Sequence, residues 1–274
     1  MWSILFHPEP PERDALIAEL WENGTSGLIE EANGLRAFFD NSIPLETVRF
    51  ASSAPVTGFR QEDETESFHF SREPWDPVLI GQRFFVTPPW YQGDVPEDRF
   101  HLPIETTVAF GTGRHESTQL ALEALETYLA PGDTVLDVGC GSGILSAAAS
   151  LLRAGAVYSC DIHPDAISAS RRQIQTPLFA GSADAVRSGL ADIVIANISA
   201  AVLDRIAFDL ARVAKPQGIV TIAGFFSEQV PQRYRPEKIM ERAGWLCWIC
   251  RPEDIDRSRN DEIDPNFHPE RWWL

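Results

Sequence analysis

Thr134-Val-Leu-Asp137-Val-Gly139-Cys-Gly141-Ser-Gly143-Ile144-Leu decides the fold. Thr134 to Val138 has the β-branched, apolar character of a short buried strand. The Ala- and Leu-rich run from Ile144 to Leu152 reads as a helix. Three alternating glycines between them permit a tight turn and a close approach of a ligand to the backbone. Downstream the alternation repeats. Ala156 to Cys160 predicts a second strand ending at Asp161, and Pro164 opens a helix to about Gln175. Leu178-Phe-Ala and Ala191 to Ala196 predict a third and a fourth strand. A helix over Leu203 to Val213 and a strand over Ile219 to Ala223 follow. A helix over Glu228 to Ala243, crossed by Pro231 and Pro236, leads to a sixth strand over Trp245 to Cys250. This order predicts an α/β, doubly wound, Rossmann-like parallel sheet with helices on both faces.

Three segments carry chemistry. The first is the glycine turn, where a helix N-terminus offers unpaired N–H groups. Asp161, 22 residues after Gly139, is placed to accept hydrogen bonds from ribose hydroxyls. A dinucleotide site wants G-x-G-x-x-G, but Ile144 holds the sixth position. G-x-G-x-G after the acid Asp137 instead resembles motif I of the class I methyltransferases that use S-adenosylmethionine (SAM). The sulfonium and amino groups of SAM are cationic, which makes a nearby acid useful. The second segment, Ala109-Phe-Gly-Thr112-Gly-Arg-His115-Glu-Ser-Thr118, precedes a helix from about Gln119 to Leu129, with Ser117 and Thr118 able to cap it. His115-Glu116 is no zincin motif, because position 119 is Gln. The third, Val194-Ile-Ala-Asn197-Ile, ends the fourth strand at the edge where such sheets bind ligands. Asn197 there presents a carboxamide to a substrate amine, or forms a simple Asx turn.

Residues 1–70 read as a small α+β domain. Ile4 to Phe6 predicts a strand, and Leu16, Ile17, Leu20 and Trp21 recur at helical spacing within Glu12 to Trp21. Asn33-Gly34 between two apolar runs signals a hairpin, and Gln61 to Glu66 reads as a loop. Residues 71–103 are a proline-rich linker with one strand, Arg83 to Thr87. Residues 104–250 form the larger domain, and 251–274 an acidic tail or, through Trp272 and Trp273, a final strand.

Of the 274 residues 40 are acidic and 23 basic, a net charge of −17, and only Lys215 and Lys238 are lysines. So acidic a chain repels phosphate backbones and anionic bilayers, which argues against general nucleic-acid or membrane binding. No apolar run approaches the ~20 residues of a membrane span, and the start carries no secretory pattern. Cys140, Cys160, Cys247 and Cys250 read as reduced, cytoplasmic thiols. Cys247 and Cys250 form a lone CxxC inside an apolar strand, without the further ligands a zinc site needs, so no metal is expected.

Taken together, Ala-Phe-Gly-Thr-Gly-x-His-x-Ser-Thr, Asp-x-Gly-x-Gly-Ser-Gly-Ile-Leu and Val-x-Ala-Asn-Ile resemble the PrmA family, methyltransferases of ribosomal protein L11. Gly27-Leu, Ala37-Phe-Phe and Arg83 to Trp90 have counterparts there too. The resemblance implies SAM as cofactor and transfer of methyl groups to lysine and N-terminal amines of a protein. It also implies a ferredoxin-like N-terminal domain that recognises the substrate. It puts Thr118, Gly139, Asp161 and Asn197 on cofactor-contacting positions, with Asp137, Gly141 and Gly143 in the same turn. Thr112 and His115 fall in the family's characteristic loop. Asn197, and with it His115, are the candidate catalytic residues; no dedicated base stands out. Ser117 replaces the first Thr of the family's Thr-Thr pair, and the segment between Asp161 and Ala191 is short. The charge fits a monomeric enzyme meeting a free, basic ribosomal protein. Two rivals share the superfamily: enzymes for other protein lysines, such as the electron-transfer flavoprotein β-subunit group, and nucleic-acid or small-molecule methyltransferases. Amine-methylating nucleic-acid enzymes usually carry Asn-Pro-Pro-Tyr where this chain has Asn197-Ile-Ser-Ala. A SAM-binding module without catalysis is the third alternative.

Overall fold

The computed structural model describes residues 2–9, 16, 19–20, 23, 25, 27–31, 34–39, 41, 43–45, 54–61, 75–104 and 113–258. The chain forms two units, Met1–Glu73 and Pro74–Phe267.

The first unit holds β1 (Trp2–Phe6), β2 (Gly27–Glu31), β3 (Gly34–Phe39) and β4 (Val56–Gln61). They form one sheet in the order β2-β3-β1-β4, every neighbour antiparallel. β2 and β3 make the hairpin that Asn33-Gly34 signals, with Glu31 opposite Gly34. Trp2, Ile4 and Phe6 alternate onto one face and meet Leu35, Ala37, Phe39, Leu16 and Leu20 in a common core. The Trp2 ring stacks on Phe39 at 4.3 Å, and its N–H donates to the Ile43 carbonyl at 2.8 Å. The other face buries Arg36, whose guanidinium donates to Ser3 Oγ and the Gly58 carbonyl. Most of the helix expected over Glu12 to Trp21, and residues 62–66 of the expected loop, lie outside the described residues.

The second unit opens with β5 (Val78–Ile80), β6 (Phe84–Thr87) and β7 (Phe100–Pro103), a three-stranded sheet. The segment expected to be a linker with one strand thus has three. The reason is packing: Trp75, Ile80, Phe84, Val86, Leu102 and Ile104 belong to the main core of this unit. After α1 (Glu116–Tyr128) come β8 (Thr134–Val138), α2 (Ile144–Leu151), β9 (Ala156–Asp161), α3 (Pro164–Gln173) and β10 (Leu178–Ala180). Then follow β11 (Ala191–Asn197), α4 (Ala200–Val213), β12 (Ala214–Phe226), β13 (Lys238–Arg242) and β14 (Trp245–Cys250).

The seven-stranded sheet has the order β10-β9-β8-β11-β12-β14-β13. β8 to β12 pair in parallel as expected, but β14 runs antiparallel to both β12 and β13. The sheet is therefore mixed rather than wholly parallel. The helix expected over Glu228 to Ala243 is also absent; its last third is β13. Pro231 and Pro236 withhold N–H donors and disfavour helical geometry in the residues before them. Arg242 pairs directly with Trp245 across Ala243 and Gly244. Both turn residues have positive φ (49° and 84°), the signature of a tight two-residue hairpin, and so β13 folds back onto β14.

Strand alternation sorts the side chains. Val135, Val157, Ile193, Ile195, Ala223, Cys247 and Ile249 share a core with α1, α2 and the small sheet. Leu136, Val194, Ala196, Ile222, Trp248 and Cys250 share the other with α4. Cys247 and Cys250 therefore sit in the cores on opposite faces of the sheet. Both are free and buried, so their CxxC can form neither a disulfide nor a shared metal site. The first part of the C-terminal segment packs on the α4 side, with Ile255 buried and bridged to Tyr234. Trp272 and Trp273 lie outside the described residues. No described helix is long and apolar enough to cross a membrane.

Candidate functional site

The functional side chains follow from that alternation. Asp137, Asp161 and Asn197 keep step with Val135, Val157 and Ile195, so all three project onto the α1–α2 face at the carboxyl edge of the parallel strands.

The glycine turn is held from two sides. Gly139 and Cys140 donate their N–H groups to the Cys160 carbonyl at 2.9 and 3.1 Å. Asp161 accepts the Gly141 N–H on one carboxylate oxygen and the His163 N–H on the other, both at 2.9 Å. It thereby clips the turn to the start of α3. A carboxylate has about four acceptor sites, so capacity for further donors remains. Gly139 has φ of 73°, and a Cβ there would lie 2.6 Å from the Ile198 side chain. Gly143 caps α2 in the left-handed region, at φ of 84°.

Asp137 is fully buried. Ser146 on α2 donates to its Oδ2 at 2.6 Å, and Ser146 also contacts Ser159 Oγ at 2.7 Å. Oδ1 has no partner among the described residues. Burial pushes the carboxyl up to about 7; the Ser146 hydrogen bond opposes this, and the nearby Asp161 charge adds to it.

α1 begins at His115, which is its N-cap: Nδ1 accepts the Ser117 N–H at 3.3 Å and contacts Ser117 Oγ at 2.8 Å. Ser117 and Thr118, expected to cap, lie one turn further in and are buried. The Asn197 carboxamide donates to Thr118 Oγ1 at 3.2 Å across 79 residues of sequence. Its Oδ1 is buried and without a partner among the described residues. Gly224 leaves room for it; a Cβ there would sit 2.7 Å from the Ile198 carbonyl oxygen and 3.0 Å from Asn197 Oδ1. Thr112 lies outside the described residues. The adjoining Gly113, at φ of 78°, packs against Val86 and Ile144, which ties this segment to the start of α2.

The fold thus brings together Asp137, Gly139, Gly141, Gly143 and Asp161 on one side and His115, Thr118 and Asn197 on the other. Sequence reasoning missed Ser146, Ser159 and Gly224. A lone hydroxyl in the otherwise apolar Ile144-Leu-Ser-Ala-Ala-Ala run was the available signal for Ser146. A cavity of about 560 Å³ at the opposite, amino edge contains the Lys215–Asp192 ion pair and none of the motif residues. No cluster of described residues has metal-ligand character.

Comparison with known proteins agrees with this geometry. The family model described as ribosomal protein L11 methyltransferase (PrmA) matches residues 20–252. The L11 methyltransferase of Paraburkholderia xenovorans is 34% identical over 205 residues, spanning 71% of this chain and 68% of that protein. That of Burkholderia thailandensis is 35% identical over 207 residues, or 72% and 68% of the two chains. The crystal structure of a ribosomal protein L11 methylase from Lactobacillus delbrueckii subsp. bulgaricus superposes with a TM-score of 0.59 at 26% identity. The match covers 65% of this chain and 99% of that one. The chain belongs to the ribosomal protein L11 methyltransferase family.

Proposed function

We propose that this protein transfers methyl groups from SAM to lysine and N-terminal amines of ribosomal protein L11. The observation that carries the reading is the pair of buried acceptors without a partner among the described residues, Asp137 Oδ1 and Asn197 Oδ1, on one face of one sheet edge. Unpaired buried acceptors are costly, and a ligand rich in N–H and O–H donors relieves them. The amino group, ribose hydroxyls and adenine amine of SAM are such donors, so the residues fit the cofactor. Asp137, Gly139, Gly141, Gly143, Thr118, Asp161 and Asn197 would hold it, with Thr112 from the adjoining loop. When bound, SAM supplies an electrophilic methyl group beside a positive sulfonium.

The remaining work belongs to the chain. Asn197 is oriented by Thr118 and offers its carboxamide oxygen to an incoming amine N–H. His115 fixes the start of the helix that carries Thr118. With Nδ1 engaged as an acceptor of the Ser117 N–H, the tautomer that fits carries its proton on Nε2, and the ring acts as a positioning residue. An amine must be neutral to react, and a lysine has a reference pKa of ~10.4; exclusion of water from this edge favours proton loss. Catalysis is then mainly positioning in a dry site.

The first unit supports a role in substrate recognition. Its strand order, with β1 central between β3 and β4 and all neighbours antiparallel, supports a ferredoxin-like reading of this unit. The net charge of −17 suits a basic protein partner met free of RNA, in the cytoplasm, by a monomeric enzyme. Incubation with labelled SAM and unmethylated ribosomal proteins, followed by mass spectrometry, tests the proposal. Label on lysines or the N-terminus of L11 is expected. Label confined to RNA, or on no macromolecule, refutes it.

A further inference from the structure

Three aromatic rings from three separate segments meet at the sheet edge that carries Asn197. Trp245, the first residue of β14, packs on Phe226 at the end of β12 with ring centroids 3.8 Å apart. His115 meets the same indole edge-on at 4.2 Å and 72°. Because β14 runs antiparallel, its first residue lies at the carboxyl edge of the parallel strands. Register connects this cluster to the site: Asn197 pairs with Ala223, and Ala223 with Cys247, two residues from Trp245 on the same face. His115 lies three residues before Thr118, the partner of Asn197. All three rings are partly exposed, whereas Phe225 and Trp248 on the opposite face are buried. Arg242, three residues before Trp245, is drawn to α1, donating to Gln119 Oε1 and Glu123 Oε1 at 3.0 Å each, while Arg114 beside His115 is exposed.

We infer that Trp245, Phe226 and His115 form a wall that receives the alkylammonium side chain of the protein acceptor. The inference rests on the methyltransferase reading and names the residues that set acceptor specificity. Its chemical logic concerns the nitrogen lone pair. A carboxylate would attract the amine but hold it as an ammonium, which cannot accept a methyl group. Ring faces attract the cation more weakly through their quadrupole and cover its apolar stem, so they hold the proton less tightly than a carboxylate would. They also retain affinity for a nitrogen that already bears methyl groups.

The test compares Trp245→Leu, which keeps apolar bulk but loses the ring face, with Trp245→Phe, which keeps a ring. For the Leu variant KM for L11 rises about tenfold. The affinity for SAM and the thermal melt stay at wild-type values, and the Phe variant recovers most of the loss. An unchanged KM in the Leu variant overturns the inference. So does a Phe variant as impaired as the Leu one, or a fall in SAM affinity that accounts for the loss. A second arm does not depend on L11. Protein labelled with fluorotryptophan is titrated with N-acetyl-trimethyllysine methylamide, the Trp245 resonance being assigned by its loss in Trp245→Phe. A shift of that resonance is expected, and its absence at saturating probe overturns the wall. Failure of wild-type enzyme to methylate L11, with the resonance still shifting, instead refutes the substrate reading alone.

Discussion

Replacing Asp137 with Asn removes the one carboxyl among the described residues of the second unit whose burial is complete and whose pKa lies near neutrality. Its rise from 3.8 to about 7 spans about 3 pH units. At about 1.4 kcal/mol per unit this is about 4 kcal/mol of linkage between protonation and folding. The folded state holds this proton more tightly than the unfolded chain does. The stabilisation is therefore complete below pH 4, declines as pH rises through the window between the two pKa values, and is gone above about 7. The Asn variant keeps an acceptor for Ser146 but cannot ionise. The difference in unfolding free energy, wild type minus variant, cancels the other acids of the chain. It should fall by about 1.4 kcal/mol per unit between pH 5 and 7, then level off. Urea titrations followed by tryptophan fluorescence read this as a relative midpoint shift of about 1.4 M between pH 5 and 7, given an m value of about 2 kcal/mol/M. A difference that is flat from pH 5 to 8, or that grows with pH, refutes the assignment of a buried, neutral-range carboxyl.

Four further outcomes follow from the same geometry. Binding of SAM places positive charge near Asp137 and lowers its pKa, so calorimetry in buffers of differing ionisation enthalpy should show close to one proton released at pH 6 and none at pH 8.5. Ser146→Ala removes the hydroxyl that opposes the upward shift, and the Asp137 titration followed by carbon NMR should move up by about one pH unit. Asn197→Ala should cut kcat about a hundredfold with the fold intact. Gly224→Ala, whose Cβ would press on Ile198 and the Asn197 oxygen, should reproduce most of that loss, whereas near-wild-type turnover in either would remove Asn197 from the reaction.

The glycine turn and the strands beside it were legible because each is a short apolar run closed by a residue with a local reason to stop it. Asp161 and Asn197 were legible for the same reason, since each is the polar residue that ends an apolar strand. The β13 strand was not. Lys238-Ile-Met-Glu-Arg242 contains good helix formers, and only pairing with β14 makes it a strand, a tertiary effect that propensity does not carry. β5 and β7 were hidden similarly: the surrounding prolines read as connector, while their burial comes from α1 and α2. Within the site, the His115 cap is local to its own helix start, but its contact with Trp245, 130 residues away, comes only with the tertiary fold. Ser146 and Ser159 lie 13 residues apart and meet only once α2 folds back over β8 and β9.

The alternation that separates the two cores has a consequence for how this chain can vary. Asp137, Asp161, Asn197 and Trp245 share a face with one core, and their immediate neighbours in sequence share a face with the other. A single residue inserted within β8, β9, β11 or β14 would rotate everything beyond it by half a turn, sending a site residue into the core against α4 and an apolar neighbour into the site. Two inserted residues would restore the phase. Length changes inside these strands should therefore survive only in even numbers or as local bulges, while the loops beyond the carboxyl edge remain free to change by any number. Catalysis and core packing in this protein are thus inherited as one phase, and new acceptor specificity can arise most readily through the loops.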